Sequence, residues 1–414
     1  MQTKLADFIK HSAEGQEADE ILRSCVHCGF CLATCPTYQL LGDELDSPRG
    51  RIYLMKQLLE GQPVTEKTQL HLDRCLTCRA CETTCPSGVR YGALVDIGRG
   101  IVEKQVKRNL QAEAMRYSLR KILPNALLFN TLFKAGQIVR PMLPSSLKKK
   151  IPVKLGAAQA WPAARHVRTM LVLDGCVQPT LAPNINAACA RVLDRIGISL
   201  IKADEAGCCG AVTFHLNAQA EGLDYMRRNI DAWWPFVEQR QTEAIVMTAS
   251  GCGVTVKDYG HLLSHDRDYA EKAARISAMT KDISEILYAE KSRLQELVES
   301  KKNGNQTKLA FHSPCTLQHG MKIRGVVEQI LSSAGFDLTN VPNGHLCCGS
   351  AGTYSILQPE LSQQLLKNKV AALESGQPDQ IATANIGCLM HLQNGTTTSV
   401  RHWIELIDQR LSDL

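Results

Sequence analysis

Eight cysteines near the amino end fall into two runs of one form. Cys25, Cys28, Cys31 and Cys35 precede Pro36, and Cys75, Cys78, Cys81 and Cys85 precede Pro86, so C-x2-C-x2-C-x3-C-P occurs twice. This is the spacing of thiolates that cage [4Fe-4S] clusters in pairs, where the fourth cysteine of each run ligates the other run's cluster. Three thiolates at i, i+3 and i+6 on a tight loop reach three irons of one cubane, and the fourth corner must come from elsewhere. The expected sets are therefore Cys25, Cys28 and Cys31 with Cys85, and Cys75, Cys78 and Cys81 with Cys35. Cross-ligation makes the two clusters neighbours, which suits transfer of single electrons. The proline after the last ligand holds the bend through its fixed φ and missing N–H. A zinc site draws four tetrahedral ligands from separated C-x2-4-C pairs, and neither zinc nor disulfides account for two identical triple runs.

Eight further cysteines repeat in the carboxyl-terminal part. Cys176 is followed after 31 residues by Cys208-Cys209-Gly210, and Cys315 after 31 residues by Cys347-Cys348-Gly349. Each half then closes on a Gly-Cys pair, at Cys252 and Cys388. Simple burial is an alternative, since free cysteine is among the most buried residue types, but it does not explain adjacent pairs at identical spacing. Three functional readings stay open: a further iron-sulfur centre, a redox dithiol or a docking surface. His312, three residues before Cys315, and His391, three after Cys388, are candidate ligands or proton carriers, against a structural hydrogen-bonding role. Arg49 and Arg51 either raise a cluster's potential by nearby positive charge or pair at a helix end. Cys189 lies on an apolar helical stretch and reads as core.

These residues need elements to hold them. The 39 residues between Cys35 and Cys75 read as helices, with an apolar face at Ile52, Leu54, Met55, Leu58 and Leu59 over 49–61, a second helix over 66–74 and a third from 91 to about 108. Beyond residue 167 the texture changes to short apolar strands at 169–176, 198–203 and 243–250 with a helix at 185–197. The order recurs with strands at 308–315, 336–342 and 379–388 and a helix at 326–335. Strand-helix-strand alternation implies α/β layers with largely parallel sheets and right-handed crossovers. The expected organisation is multi-domain: an α-helical domain over 1–110, a basic helical connector over 111–165, and two duplicated α/β cysteine-rich domains over 166–305 and 306–414.

Composition limits the function classes. With 414 residues, 44% apolar and 21% charged, the chain is long enough for two or three packed domains. Seventeen cysteines without an apolar signal core at the amino end point to a reducing compartment rather than a secreted disulfide scaffold. No run approaches the roughly 18 to 20 apolar residues that span a bilayer, so membrane contact would be peripheral. Residues 107–170 carry thirteen Lys and Arg against the single acid Glu113. Within them, 126–152 sets an apolar stripe before Lys148, Lys149 and Lys150, which suits an anionic leaflet or a helix packed on a partner subunit. Nucleic acid is not expected, because the aromatics of the segment show no stacking period. No G-x-G-x-x-G fingerprint occurs, so a flavin or nicotinamide is expected elsewhere than on this chain.

The double run, CVHCGFCLATCPTYQLLGDELDSPRGRIYL and CLTCRACETTCPSGVRY, is followed by EAGCCGAVTFHLNAQ, NIDAWWP, TASGCG, HSPCTLQH, HLCCGSAGTY and TANIGC. This arrangement resembles the iron-sulfur subunit family shared by glycolate oxidase, anaerobic glycerol-3-phosphate dehydrogenase and heterodisulfide reductase, and is most similar to its glycolate oxidase branch. The resemblance implies an α-helical ferredoxin domain and two Cys-Cys-Gly domains. It implies an oxidoreductase subunit that takes electrons from two FAD-binding partner subunits oxidising glycolate, and D-lactate too, and passes them to a respiratory acceptor such as quinone at the cytoplasmic face of the inner membrane. Glycerol-3-phosphate or lactate oxidation, or thiol reduction of the heterodisulfide reductase kind, are the alternatives. That last branch closes each motif with C-x-x-C, where this chain has Thr255 and His391, which argues against its five-cysteine cluster.

Overall fold

The computed structural model describes residues 1–142, 144, 156–299 and 307–412. Its amino-terminal part is a bundle of the helices Ala13–Ser24, Pro48–Leu59, Glu66–Asp73 and Tyr91–Gln105, with no strand among the described residues. The second of these starts sharply because Ser47 accepts from the Gly50 N–H and Pro48 occupies the first turn, where its missing N–H is not needed. Ile52, Met55, Leu58 and Leu59 then face inward against Leu94, Val95 and Val102 of the Tyr91–Gln105 helix. The expected helices are all present, each within three residues of its expected limits.

The carboxyl-terminal part contains two sheets of four parallel strands. β1 (Arg168–Val172), β2 (Ile198–Lys202), β3 (Ile245–Met247) and β4 (Thr280–Asp282) lie in the order β2-β1-β3-β4. β5 (Lys308–His312), β6 (Asp337–Leu338), β7 (Gln380–Thr383) and β8 (Ser399–His402) repeat it as β6-β5-β7-β8. The duplication expected from the cysteines is thus one of topology, with Leu171 opposite Ile245 in one sheet and Leu309 opposite Gln380 in the other. Two expectations need correction. The strands are shorter, because their carboxyl ends bend into loops or into the helices Ser250–Lys257 and Ile386–Gln393, whose glycines and cysteines do not extend a pleat. The fourth strand of each sheet, Thr-Lys-Asp and Ser-Val-Arg-His, has too little apolar content to be read as a strand and forms because β3 and β7 offer it an edge.

The halves share one apolar core. Helix Asn184–Arg195 lies on the carboxyl-terminal helix Trp403–Ser412, with Arg191 and Asp408 2.6 Å apart. His402 donates through Nε2 to the Thr248 carbonyl at 2.8 Å, and the Ser250 N–H donates to the Ala384 carbonyl at 3.2 Å. The connector is helical over Leu110–Ile122 and Ala126–Val139 but irregular over 156–165. Lys148, Lys149 and Lys150 lie outside the described residues, as does the expected boundary at 305 and 306. No described helix is long and apolar enough to cross a membrane.

Candidate cluster and thiol sites

The two amino-terminal cysteine loops have the same backbone. Left-handed residues stand two and four places after the first cysteine of each, at His27 and Gly29 (φ 56° and 84°) and at Thr77 and Arg79 (φ 52° and 60°). Such a conformation costs a non-glycine residue roughly 1–2 kcal/mol and is kept where the surroundings demand it. Here it turns main-chain N–H groups toward sulfur: Thr77 donates to Cys75 Sγ at 3.4 Å, and His27 donates to Cys25 Sγ.

The fold interlocks the two runs. Cys85 lies beside Cys25 and Cys28, and one pocket is lined by Cys25, Cys28, Cys31 and Cys85 together with Cys81. Cys35 lies instead with Cys75, Cys78 and Cys81. Each run's fourth cysteine therefore sits with the first three of the other. Burial pushes the Cys31 thiol up to about 11 and those of Cys78 and Cys81 well above their usual range. Buried thiols without a cationic partner stay neutral, whereas bound iron removes that penalty. Four soft sulfur donors served by N–H groups make a donor set that fits a [4Fe-4S] group.

The ion-pair reading of the arginines is the one seen in the structure. Arg51 is buried, donating to Asp46 at 3.1 Å, to Thr37 at 3.1 Å and to the His71 carbonyl at 2.7 Å, while its charge faces Cys75 and Cys35. Arg49 pairs with Glu44, and its main-chain N–H points at Cys31. Sequence reasoning missed Arg99 and Tyr91. Arg99 donates to the Cys75 carbonyl at 2.6 Å, the Leu72 carbonyl at 2.7 Å and Thr77 Oγ1 at 3.0 Å, and the Tyr91 hydroxyl lies 3.6 Å from Cys75 Sγ. The available signal was an arginine on the buried Val95-to-Val102 stripe of an apolar helix.

In each carboxyl-terminal half the four cysteines form a row. Cys176, Cys208, Cys209 and Cys252 are hydrogen-bonded in sequence. So are Cys315, Cys347, Cys348 and Cys388, with Cys315 and Cys347 3.7 Å apart. All arise at the carboxyl ends of the first three strands of their sheet, where open parallel sheets place ligand sites. Gly210 and Gly349 have φ of 86° and 90° and donate to the sulfurs of Cys208 and Cys347, each at 3.5 Å. A Cβ on either would lie 2.6 Å from a carbonyl oxygen, that of Gly222 or Ser362, so the motif's third position admits only glycine. Cys189 is core. His391 is engaged by Ser362 at 3.3 Å and by the Cys348 main chain. His312 holds Thr383 Oγ1 at 3.0 Å through Nδ1.

The second run meets both halves. Cys78 packs in one apolar cluster with Leu76, Cys315, Cys347 and Tyr354, and the Tyr354 hydroxyl donates to the Arg74 carbonyl at 3.1 Å. From the short helix Ala80–Thr84 and its cap, Thr83 Oγ1 contacts His319 Nδ1 at 3.0 Å and Arg79 reaches Asp258 of the first half at 2.9 Å. The first run faces outward, with Cys28, Val26 and Phe30 exposed.

Residues 21–89 match the 4Fe-4S dicluster domain family, and 170–257 and 309–393 match the cysteine-rich CCG domain family. The chain is 57% identical over 99% of both chains to the glycolate oxidase iron-sulfur subunit of Escherichia coli K12. It is 30% identical to the probable glycolate oxidase iron-sulfur subunit of Bacillus subtilis 168, over 94% of this chain and 91% of that one. Lactate utilization protein A of Anoxybacillus flavithermus is 24% identical, covering 57% of this chain and 97% of its own length.

Proposed function

This chain belongs to the family of glycolate oxidase iron-sulfur subunits, and on that premise we propose that it carries single electrons from two FAD-binding partner subunits oxidising glycolate to glyoxylate toward a respiratory quinone. Oxidation of a 2-hydroxy acid releases two electrons together and needs a flavin or similar cofactor. Cys25, Cys28, Cys31 and Cys85 would hold one [4Fe-4S] group and Cys75, Cys78, Cys81 and Cys35 the other, supplying one-electron chemistry when bound. The observation that carries this reading is the packing of Cys78 against Cys315 and Cys347, which makes the buried second set continuous with the second half's thiols while the first set opens to the surface at Cys28. The polypeptide's own work is to exclude water from the inner set, donate N–H groups to sulfur, and place the Arg51 charge beside Cys35 and Cys75.

Exposed Leu127, Leu132, Ile138 and Val139 on the Ala126–Val139 helix, with Met142 just beyond it, support a peripheral lipid contact at the cytoplasmic face of the inner membrane. The similarity to a lactate utilization protein supports lactate as a second substrate of the complex, which we take to be the D form. The test is to copurify the chain with its flavoprotein partners and follow anaerobic bleaching of its iron-sulfur absorbance on adding glycolate, D-lactate or glycerol-3-phosphate. Glycolate, with D-lactate slower, is expected to bleach it. Bleaching by glycerol-3-phosphate alone would move the chain to the other branch of the family.

A further inference from the structure

The two Cys-Cys-Gly sites have different backs. In the first half, Leu173 stands three residues before Cys176 and Met247 five before Cys252, both in the apolar core. The corresponding positions of the second half are His312 and Thr383, also buried. Such interior positions are ordinarily apolar, because a buried imidazole nitrogen without a partner is destabilising. Ala249, three before Cys252, likewise corresponds to Asn385, whose Nδ2 donates to Cys388 Sγ at 3.5 Å.

His312 is only half satisfied. Its Nδ1 side is held by Thr383 Oγ1 at 3.0 Å, yet Nε2 is buried with no hydrogen-bond partner. A ring nitrogen of His312 and the sulfurs of Cys348 and Cys388 lie within 4.8 Å of one another. Tetrahedral donors at metal–sulfur and metal–nitrogen bonds of about 2.3 and 2.0 Å stand roughly 3.5–3.8 Å apart, so a small closing movement would suffice. An imidazole held at one nitrogen by a second partner, with the other left without a hydrogen bond in a ring that borders soft donors, has the usual posture of a metal-ligating histidine. His391 lacks that posture, since Ser362 and the Cys348 main chain already occupy it.

We propose that His312 is a metal ligand through Nε2, completing with Cys348, Cys388 and the adjoining Cys347 a mixed nitrogen-sulfur centre for a borderline-soft transition-metal ion, whereas the first half's row offers sulfur alone. The ion is an iron of a further cluster or a zinc ion, which share this donor chemistry. Thr383 acts as the positioning residue, orienting the ring. The proposal does not depend on which 2-hydroxy acid the complex oxidises.

Full-length chain purified without oxygen is to be compared with His312→Leu, which copies the first half, and with His312→Cys, which replaces nitrogen by sulfur. Iron and zinc are counted, and nitrogen ligation is read from 14N hyperfine coupling in the reduced iron centres, with 15N-histidine as control, or from zinc-edge X-ray absorption. The expected wild type holds metal beyond the about eight irons of two cubanes and shows one nitrogen ligand. His312→Leu is expected to lose that centre alone, while His312→Cys retains metal without the nitrogen signature. Excess iron with nitrogen coupling identifies a cluster, and zinc with one nitrogen identifies a zinc site. Should His312→Leu not fold, the wild-type and His312→Cys spectra still decide. Wild type with no metal beyond eight irons, or a centre whose spectrum has no nitrogen, overturns the assignment; a failed glycolate assay with the nitrogen signal intact would instead count against the proposed function.

Discussion

Arg51 is a guanidinium only 1% exposed beside a carboxylate, Asp46, that is 0% exposed. Removing one member of such a pair typically costs about 3–5 kcal/mol because the other charge is stranded, and Arg74, 2.8 Å from Asp46, offsets part of that here. Arg51→Gln is therefore expected to destabilise the chain by about 2–3 kcal/mol and to lower the potential of the centre on Cys75, Cys78, Cys81 and Cys35. Redox titration of the two centres tests this, and an equal shift in both would mean that Arg51 acts through the fold alone. Cys35→Ala is expected to damage the second-run centre while the signal of the first persists, with a loss of about four irons. Loss confined to the centre on Cys25, Cys28 and Cys31 would reverse the ligand assignment. At this scale the sequence announced the thiols by spacing, whereas Arg99, 24 residues from the carbonyl it holds, had no local sign except its place on an apolar stripe.

At the scale of elements, helix Ala13–Ser24 is tied to the first cysteine-rich half by Glu17 and His261, 3.1 Å apart. The Glu17 hydrogen bond holds the imidazole above its ordinary value of 6.5, and His261, helped by Arg90, holds the carboxyl below its ordinary 4.5. A raised histidine contributes fully below its unfolded value and loses that contribution as pH rises through the folded one; a lowered carboxylate contributes fully above its unfolded value and loses it as pH falls. The contact is strongest between those two ordinary values. The protection of residues 13–24 and 259–262 against hydrogen exchange, with the intrinsic pH dependence of exchange divided out, is expected to fall as pH rises above 6.5, and His261→Gln should remove that fall. Protection unchanged with pH would show the contact to be energetically silent. The helices of the amino-terminal part were legible from their apolar period and caps, but β4 and β8 were not, since an edge strand's stability comes from the neighbour it joins rather than from its own residues.

For the whole molecule, one core runs through both halves, so the duplicated units are not independent folding units. Residues 307–412 expressed alone would expose the faces of Trp403–Ser412 that Asn184–Arg195 covers, and are expected to aggregate or to lack a cooperative melting transition. A sharp, reversible transition for that fragment would refute the shared-core account. The Ala126–Val139 helix makes the opposite prediction, because Leu127, Leu132, Ile138 and Val139 face outward while Phe133 packs inward: full-length chain is expected to float with vesicles rich in anionic lipid, less so at high salt. Replacing Leu127 and Ile138 by Glu should weaken flotation severalfold without changing thermal stability, and flotation that survives would place the lipid contact elsewhere.

Residue type and spacing alone determined that this chain holds two interlocking sulfur sets, a helical domain and a duplicated parallel α/β unit, because metal geometry and secondary-structure period are both written locally along a chain. The tertiary structure decided the rest: that the second run lies against Cys315 and Cys347, that His312 keeps a nitrogen unpartnered while His391 does not, and that the halves bury a common face. Those depend on residues far apart in sequence meeting at one place, and packing rather than any local pattern brings them there.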